Sequence, residues 1–204
     1  MAWIRSQKKG SGGVIPITLV YQNGTAGTST YTIAEDGYYL IAVTFSNAGS
    51  GSITLPDGRT AAYSGDFIIN SVKGTRIAVV RLYAGDVVTM STTVAEWLAN
   101  AKVVIKLPFS VTALVDSATA SDADIHYTLS TGSGTVLCVM SAWSKQLNAS
   151  GLFDLTPLDV GVNGIAGVVG TNCLLRVFTC DTADFPTIFA KGYDGGGVTV
   201  AVMQ

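Results

Sequence analysis

The sequence predicts an all-β protein: two β-sandwich or jelly-roll domains in tandem, preceded by a flexible N-terminal arm. Three observations predict this. Short apolar runs rich in Val, Ile, Thr, Tyr and Phe recur along the 204 residues, with Gly, Asn or Asp turns between them. Charged residues make up only 13% of the chain while glycine contributes 23 residues, so the Glu, Lys and Gln that cover exposed helices are scarce. Each half holds seven or eight such runs in roughly 95 residues, the spacing of a sandwich or barrel.

In chain order the first half reads as strands at residues 14–21 (VIPITLVY), 29–33, 38–45 (YYLIAVTF), 52–55, 66–72, 76–83 (RIAVVRLY), 86–91 and 101–107 (AKVVIKL). Asn23-Gly24, Asp36-Gly37, Pro56-Asp57-Gly58, Lys73-Gly74 and Gly85-Asp86 supply the reversals between them. ITLPDGRTAAY (53–63) is the clearest hairpin signal, because glycine after Asp57 accepts the positive φ that a tight turn requires. One helix is predicted, TTVAEWLANA (92–101), where Val94, Trp97, Leu98 and Ala101 follow a helical repeat. In the second half residues 125–129, 135–143 (TVLCVMSAW), 152–158, 165–169, 173–180 (CLLRVFTC), 187–191 and 198–203 (VTVAVM) read as strands. The uncharged GGGVTVAVMQ would aggregate as a bare edge, so it is expected inside a sheet or against a second subunit.

Pro108-Phe109 marks the expected boundary, giving an arm at 1–13, one sandwich at 14–108 and another at 109–204. Charge changes sign there. Residues 1–106 carry nine Lys/Arg against six Asp/Glu, and residues 107–204 carry three against eight. The opening MAWIRSQKKGSGG places Trp3, Ile4, Arg5, Lys8 and Lys9 ahead of a Gly/Ser tether. A docked arm of this kind gains about as much from burying Trp3 and Ile4 as it loses in ordering. Several arms acting together would anchor an oligomer by avidity.

Residues 31–107 resemble the jelly-roll head of the tumour necrosis factor and complement globular-domain family. The stretches concerned are YTIAEDGYYLIAV, VVRLYAGDVVTM, which is similar to a Leu-x-x-Gly-Asp-x-Val signature, and the closing AKVVIKL. The resemblance implies a jelly roll that trimerises through an apolar inner face, with a binding or structural role. The closing strand lacks the usual aromatic-glycine ending, and a further domain follows it. As a whole the chain resembles small virion proteins of tailed bacteriophages, which join a short opening peptide to Gly/Thr/Val-rich β domains.

Tests for chemistry point away from an enzyme. The single histidine, His126, falls in DSATASDADIHYTL, where Asp122, Asp124 and His126 would share one strand face. That trio is read as a solvated strand start, so no metal or catalytic residue is assigned and no cofactor is expected. Cys138, Cys173 and Cys180 form no CxxC pair, so neither a disulfide framework nor a zinc knuckle is indicated. No nucleophile elbow or phosphate loop occurs. Three arm cations give a salt slope of only about −2.7, too shallow for a specific nucleic-acid reader. No stretch approaches the ~20 apolar residues of a membrane helix. The apolar run after the arm is short, contains Pro16 and lacks an Ala-x-Ala exit, so no export is expected.

These readings lead to one expectation: a non-enzymatic virion structural protein, made in a bacterial cytoplasm, trimeric and arm-anchored to capsid or tail proteins. It would serve as a capsid decoration, head fibre or tail-baseplate accessory. The first alternative is a carbohydrate-binding adhesin that stacks Tyr21, Tyr63, Trp97 or Trp143 on a host-surface glycan. A hydrolase is the second.

Overall fold

The computed structural model describes residues 17–45, 50–69, 73–93, 101–121, 125–128, 135–143, 163–170, 173–181, 187–190 and 197–204. All regular structure among them is β. The strands of the first half are β1 (Thr18–Asn23), β2 (Gly27–Thr32), β3 (Gly37–Phe45), β4 (Gly51–Thr54), β5 (Ala61–Ile69), β6 (Lys73–Leu82), β7 (Val87–Thr92) and β8 (Ala101–Leu107). Those of the second half are β9 (Leu114–Ser121), β10 (Ile125–Thr128), β11 (Thr135–Trp143), β12 (Asn163–Gly170), β13 (Cys173–Asp181), β14 (Thr187–Ala190) and β15 (Gly197–Met203).

Every described ladder is antiparallel. Sheet I runs β1-β8-β3-β6-β5, sheet II β2-β7-β4 and sheet III β12-β13-β11-β15-β9, while β10 and β14 form a two-stranded ribbon. Pairing in the first half is nested. The first strand lies beside the eighth, the second beside the seventh and the third beside the sixth. Three further ladders, β3 with β8, β4 with β7 and β5 with β6, fold this paired ribbon over itself into sheets I and II.

Sheet I is the middle layer, which explains its near-continuous apolar runs. Successive side chains on a strand point to opposite faces, so a strand covered on both faces needs apolar residues at every position. In β3, Tyr39, Ile41 and Val43 join a buried cluster with Val88 and Met90 of sheet II. Leu40 and Ala42 join another with Leu137, Val139, Leu175 and Val177 of sheet III. β8 splits in the same way, Val104 to sheet II and Val103 and Ile105 to sheet III. A bulge between Leu19 and Tyr21 interrupts the alternation on β1, so that Val20 and Tyr21 both pack toward sheet II.

Sheets I and III are stacked in step. β1 lies against β12 at one side, and β5 lies against β9 and β15 at the other. Within their apolar interface Thr75 of β6 and Ser141 of β11 share a hydrogen bond of 2.5 Å, both side chains being buried. No described ladder joins residues 18–107 to residues 114–203. One apolar cluster nonetheless draws on residues of both stretches.

The Asp57-Gly58 turn forms, with Gly58 at φ +74° and Arg59 N–H donating to the Pro56 carbonyl at 3.1 Å. Its flanking strands are not a hairpin, however. β4 enters sheet II and β5 enters sheet I, because the six residues between them are enough to carry the chain from one layer to the next. β9 was not foreseen. Its LVDSATAS is poor in bulky β-formers, and its pairing with β15 makes it a strand. β15 lies between β11 and β9, with Ala201, Val202 and Met203 buried, so the uncharged C-terminal segment is interior within the chain. The core of the predicted helix (94–100), the predicted strand at 152–158 and the arm at 1–13 lie outside the described residues.

Candidate binding surface at the turn end of sheets I and II

Three turns meet at one end of the sheet I–sheet II pair: residues 33–36, 55–60 and 83–86. The sequence builds their junction from Asp86 and Gly85. Gly85 holds φ +90°, a left-handed conformation that costs a side chain dearly. Its N–H donates to the Ile33 carbonyl at 2.9 Å, and Ile33 N–H donates to the Asp86 carbonyl at 2.8 Å. The Asp86 carboxylate caps its own turn by accepting from Tyr83 N–H at 2.9 Å. It also accepts two hydrogen bonds from Arg59, at 2.7 and 3.1 Å, in a forked geometry. Asp36 closes the third side by accepting from Ala84 N–H at 2.9 Å. The Arg59 guanidinium, and next the Tyr83 N–H, hold the Asp86 carboxyl below the usual carboxylate range.

A ladder of rings and guanidinium groups continues from this junction. Arg59 lies over the Tyr83 ring at 4.3 Å from its centre, and Arg81 lies 5.4 Å from Tyr83 and 5.8 Å from Tyr38. The two arginines differ in charge compensation. Arg59 is paired with Asp86, whereas Arg81 is exposed and has no ion-pair partner among the described residues. At the same end a groove of about 380 Å³ opens between β1, β2 and the end of β8, lined by Val20, Tyr31, Glu35, Tyr39, Lys106 and Leu107 among others. Lys106 and Glu35 form an ion pair across it. Tyr39 O–H donates to the Glu35 carbonyl at 2.6 Å. The Lys106 hydrogen bond lowers the Glu35 pKa, and burial raises that of the Tyr39 phenol.

A larger groove of about 540 Å³ lies where sheet I, with five strands, overhangs sheet II, with three. Ile53, Leu55 and Ala61 line it together with Ser64, Ala78 and the forked Asp66–Arg76 pair. Both grooves open to solvent, and ion pairs engage Glu35, Asp66 and Asp86. Such surfaces can hold a partner through rings, cations and backbone edges. Among the described residues no three of His, Cys, Asp and Glu converge on a metal-sized site.

Comparisons with family models, with curated proteins and with solved structures return no match.

Of the aromatic residues singled out in the sequence, Tyr21 and Tyr63 have described side chains, and they lie apart. Tyr21 on β1 is half-buried, its ring 5.2 Å from that of Tyr31. Tyr63 on β5 is half-buried against the sheet I–sheet III core. β1 and β5 are the opposite edges of sheet I. Trp143 ends β11, its backbone facing Cys173 and Gly197 across the ladders. Trp97 and the arm residues Trp3, Ile4, Arg5, Lys8 and Lys9 lie outside the described residues, as do Asp122 and Asp124. His126 lies on β10, opposite Phe189. Cys138 is buried on β11.

The Arg59–Tyr83–Arg81–Tyr38 ladder was missed because its members are far apart in sequence. The legible part was PDGR and YAGD, two turn signals that carry Arg59 and Asp86.

Proposed function

We propose that this chain is a non-enzymatic structural protein of a virion, self-associating as a trimer and tethered to capsid or tail proteins by residues 1–13. The observation that carries the reading is the nested pairing of β1 with β8, β2 with β7 and β3 with β6, which β5 leaves by pairing with β6 in sheet I rather than with β4. An antiparallel ribbon paired first-to-last and folded over itself is the physical content of a jelly roll, an architecture that recurs in viral capsid and lectin domains. It supports the resemblance of residues 31–107 to the tumour necrosis factor and complement heads. The step from fold to role is an analogy, and the site chemistry agrees with it. Three acids at the turn end and the overhang serve as clamps between turns and strands.

In such a trimer the copies would meet elsewhere than the resemblance implies. The second apolar face of sheet I, which the resemblance offers to neighbouring copies, is covered by sheet III of the same chain. Ile68 on edge strand β5 is 50% exposed. A neighbour pairing with that edge would cover Ile68 and satisfy the strand's outward backbone groups.

The test is the native mass of the full chain, alongside a chain lacking residues 1–13. Three times the chain mass for both, with the shortened chain failing to join particles, is the expected result. A monomeric full chain, or undiminished incorporation of the shortened one, would overturn the reading.

A further inference from the structure

Among the described residues Lys102 is the largest fully buried side chain, at 0% exposure. It is on β8, and its register partner across the ladder with β1 is Asn23. No carboxylate pairs with it among the described residues. Its Nζ donates to the Thr25 carbonyl at 2.5 Å and to Ser29 Oγ at 3.3 Å. The Asn23 side-chain amide uses the same two residues. Its Nδ2 donates to Ser29 Oγ at 3.1 Å, and its Oδ1 accepts from Thr25 N–H and Thr25 Oγ1, each at 2.7 Å. Sharing one hydroxyl places amine and amide within about 6 Å of each other. A buried ammonium without a counter-charge is strongly disfavoured, and this cluster offers a chemical way to remove the charge.

We infer that Lys102 and Asn23 are a site of intramolecular amide bond formation, a covalent staple between the first and last strands of the nested set. The step balances without any oxidant or co-reactant. Neutral Nζ attacks Cγ of Asn23, the Nζ–Cγ bond forms and the Cγ–Nδ2 bond breaks. One proton passes from Nζ to Nδ2; the Ser29 hydroxyl oxygen accepts from both nitrogens, and it relays the proton once attack has turned Nδ2 into an amine that can accept. The nitrogen leaves as ammonia, which takes up the other proton of the original ammonium and departs as ammonium ion. Thr25 N–H and Oγ1–H already point at Oδ1, where negative charge develops during attack. Burial lowers the Lys102 pKa, so the nucleophilic neutral amine is enriched. The product is a neutral secondary amide in place of a buried charge. This inference does not depend on the assembly reading above.

Intact-mass measurement of the full, denatured chain tests it. The expected mass is lower than the unmodified chain's by one ammonia, about 17 Da. Trypsin should release a branched peptide joining residues 10–59 to residues 82–106, since an acylated Lys102 is not cleaved. Lys102→Met and Asn23→Ala should each show no ammonia loss. An unmodified mass for the wild-type chain overturns the proposal. So does a loss of ammonia that persists in Lys102→Met without the branched peptide, because Asn23-Gly24 can lose ammonia by closing an imide on its own backbone. If Lys102→Met does not fold, the presence or absence of the branched peptide in the wild-type digest decides alone.

Discussion

Phe45 shows how a single ring can dictate its neighbours. It ends β3, buried, and two glycines from different sheets make room for it. A Cβ at Gly51 of β4 would stand 2.6 Å from Phe45 Cδ1, and one at Gly74 of β6 would stand 2.6 Å from Cζ and 3.1 Å from the Phe67 carbonyl. Gly74→Ala should therefore destabilise the fold by about 1–3 kcal/mol through overpacking, read as a lower urea midpoint. Phe45→Leu in the same chain should recover part of the loss; no recovery would place the strain in the backbone. The Arg59–Asp86 pair makes a pH prediction. Asp86 has its folded pKa below its unfolded value, so in that range the unfolded chain holds more protons and stability rises with pH. The contribution is fully present above the ordinary carboxylate range and is lost as pH falls through the lowered pKa. Wild type should exceed Asp86→Asn in urea midpoint at neutral pH, and the gap should close in strong acid. A gap independent of pH would mean that the carboxylate's charge contributes nothing.

Among the strands, identity and partner were legible to different degrees. YYLIAVTF, RIAVVRLY and AKVVIKL were recognisable because a strand covered on both faces leaves no polar alternation. PDGR was recognisable as a turn for the equally local reason of Gly58's positive φ. That it crosses between layers was not legible, because the choice of sheet depends on where β6 and β7 lie. β9 shows the converse, a weak strand former held by β15 on one side. The contact of β6 with β11 includes a polar point suited to a double-mutant cycle. Thr75→Val leaves the buried Ser141 hydroxyl without its partner and should cost about 1–3 kcal/mol. Adding Ser141→Ala should return most of that, because both polar groups are then gone. Simple additivity would show that the hydrogen bond across the sheets contributes no coupling.

For the molecule as a whole, the shared core governs cooperativity. Leu40 and Ile105 of sheet I pack in the same cluster as Leu137 and Leu175 of sheet III. Truncating Leu40 to Ala should cost about 2–5 kcal/mol and should weaken both halves together. Urea unfolding followed by Trp fluorescence and by far-ultraviolet circular dichroism should give one coincident transition. Two separated transitions would mean that each half is stable without the other. Residues 14–108 produced alone should aggregate or self-associate, because the bare face of sheet I presents Leu40, Ala42, Val103 and Ile105 to water.

By itself the sequence determined the β class, most strand positions and the turns that require glycine, since alternation, β-branching and positive φ are local properties. Only the tertiary structure decided that β1 lies beside β8, that PDGR joins two sheets and that sheet III covers sheet I. It also decided that Lys102 faces Asn23 and that Arg59 reaches Asp86. Each of these joins residues distant in the chain, and a strand's own side chains specify which face is buried but not which partner buries it.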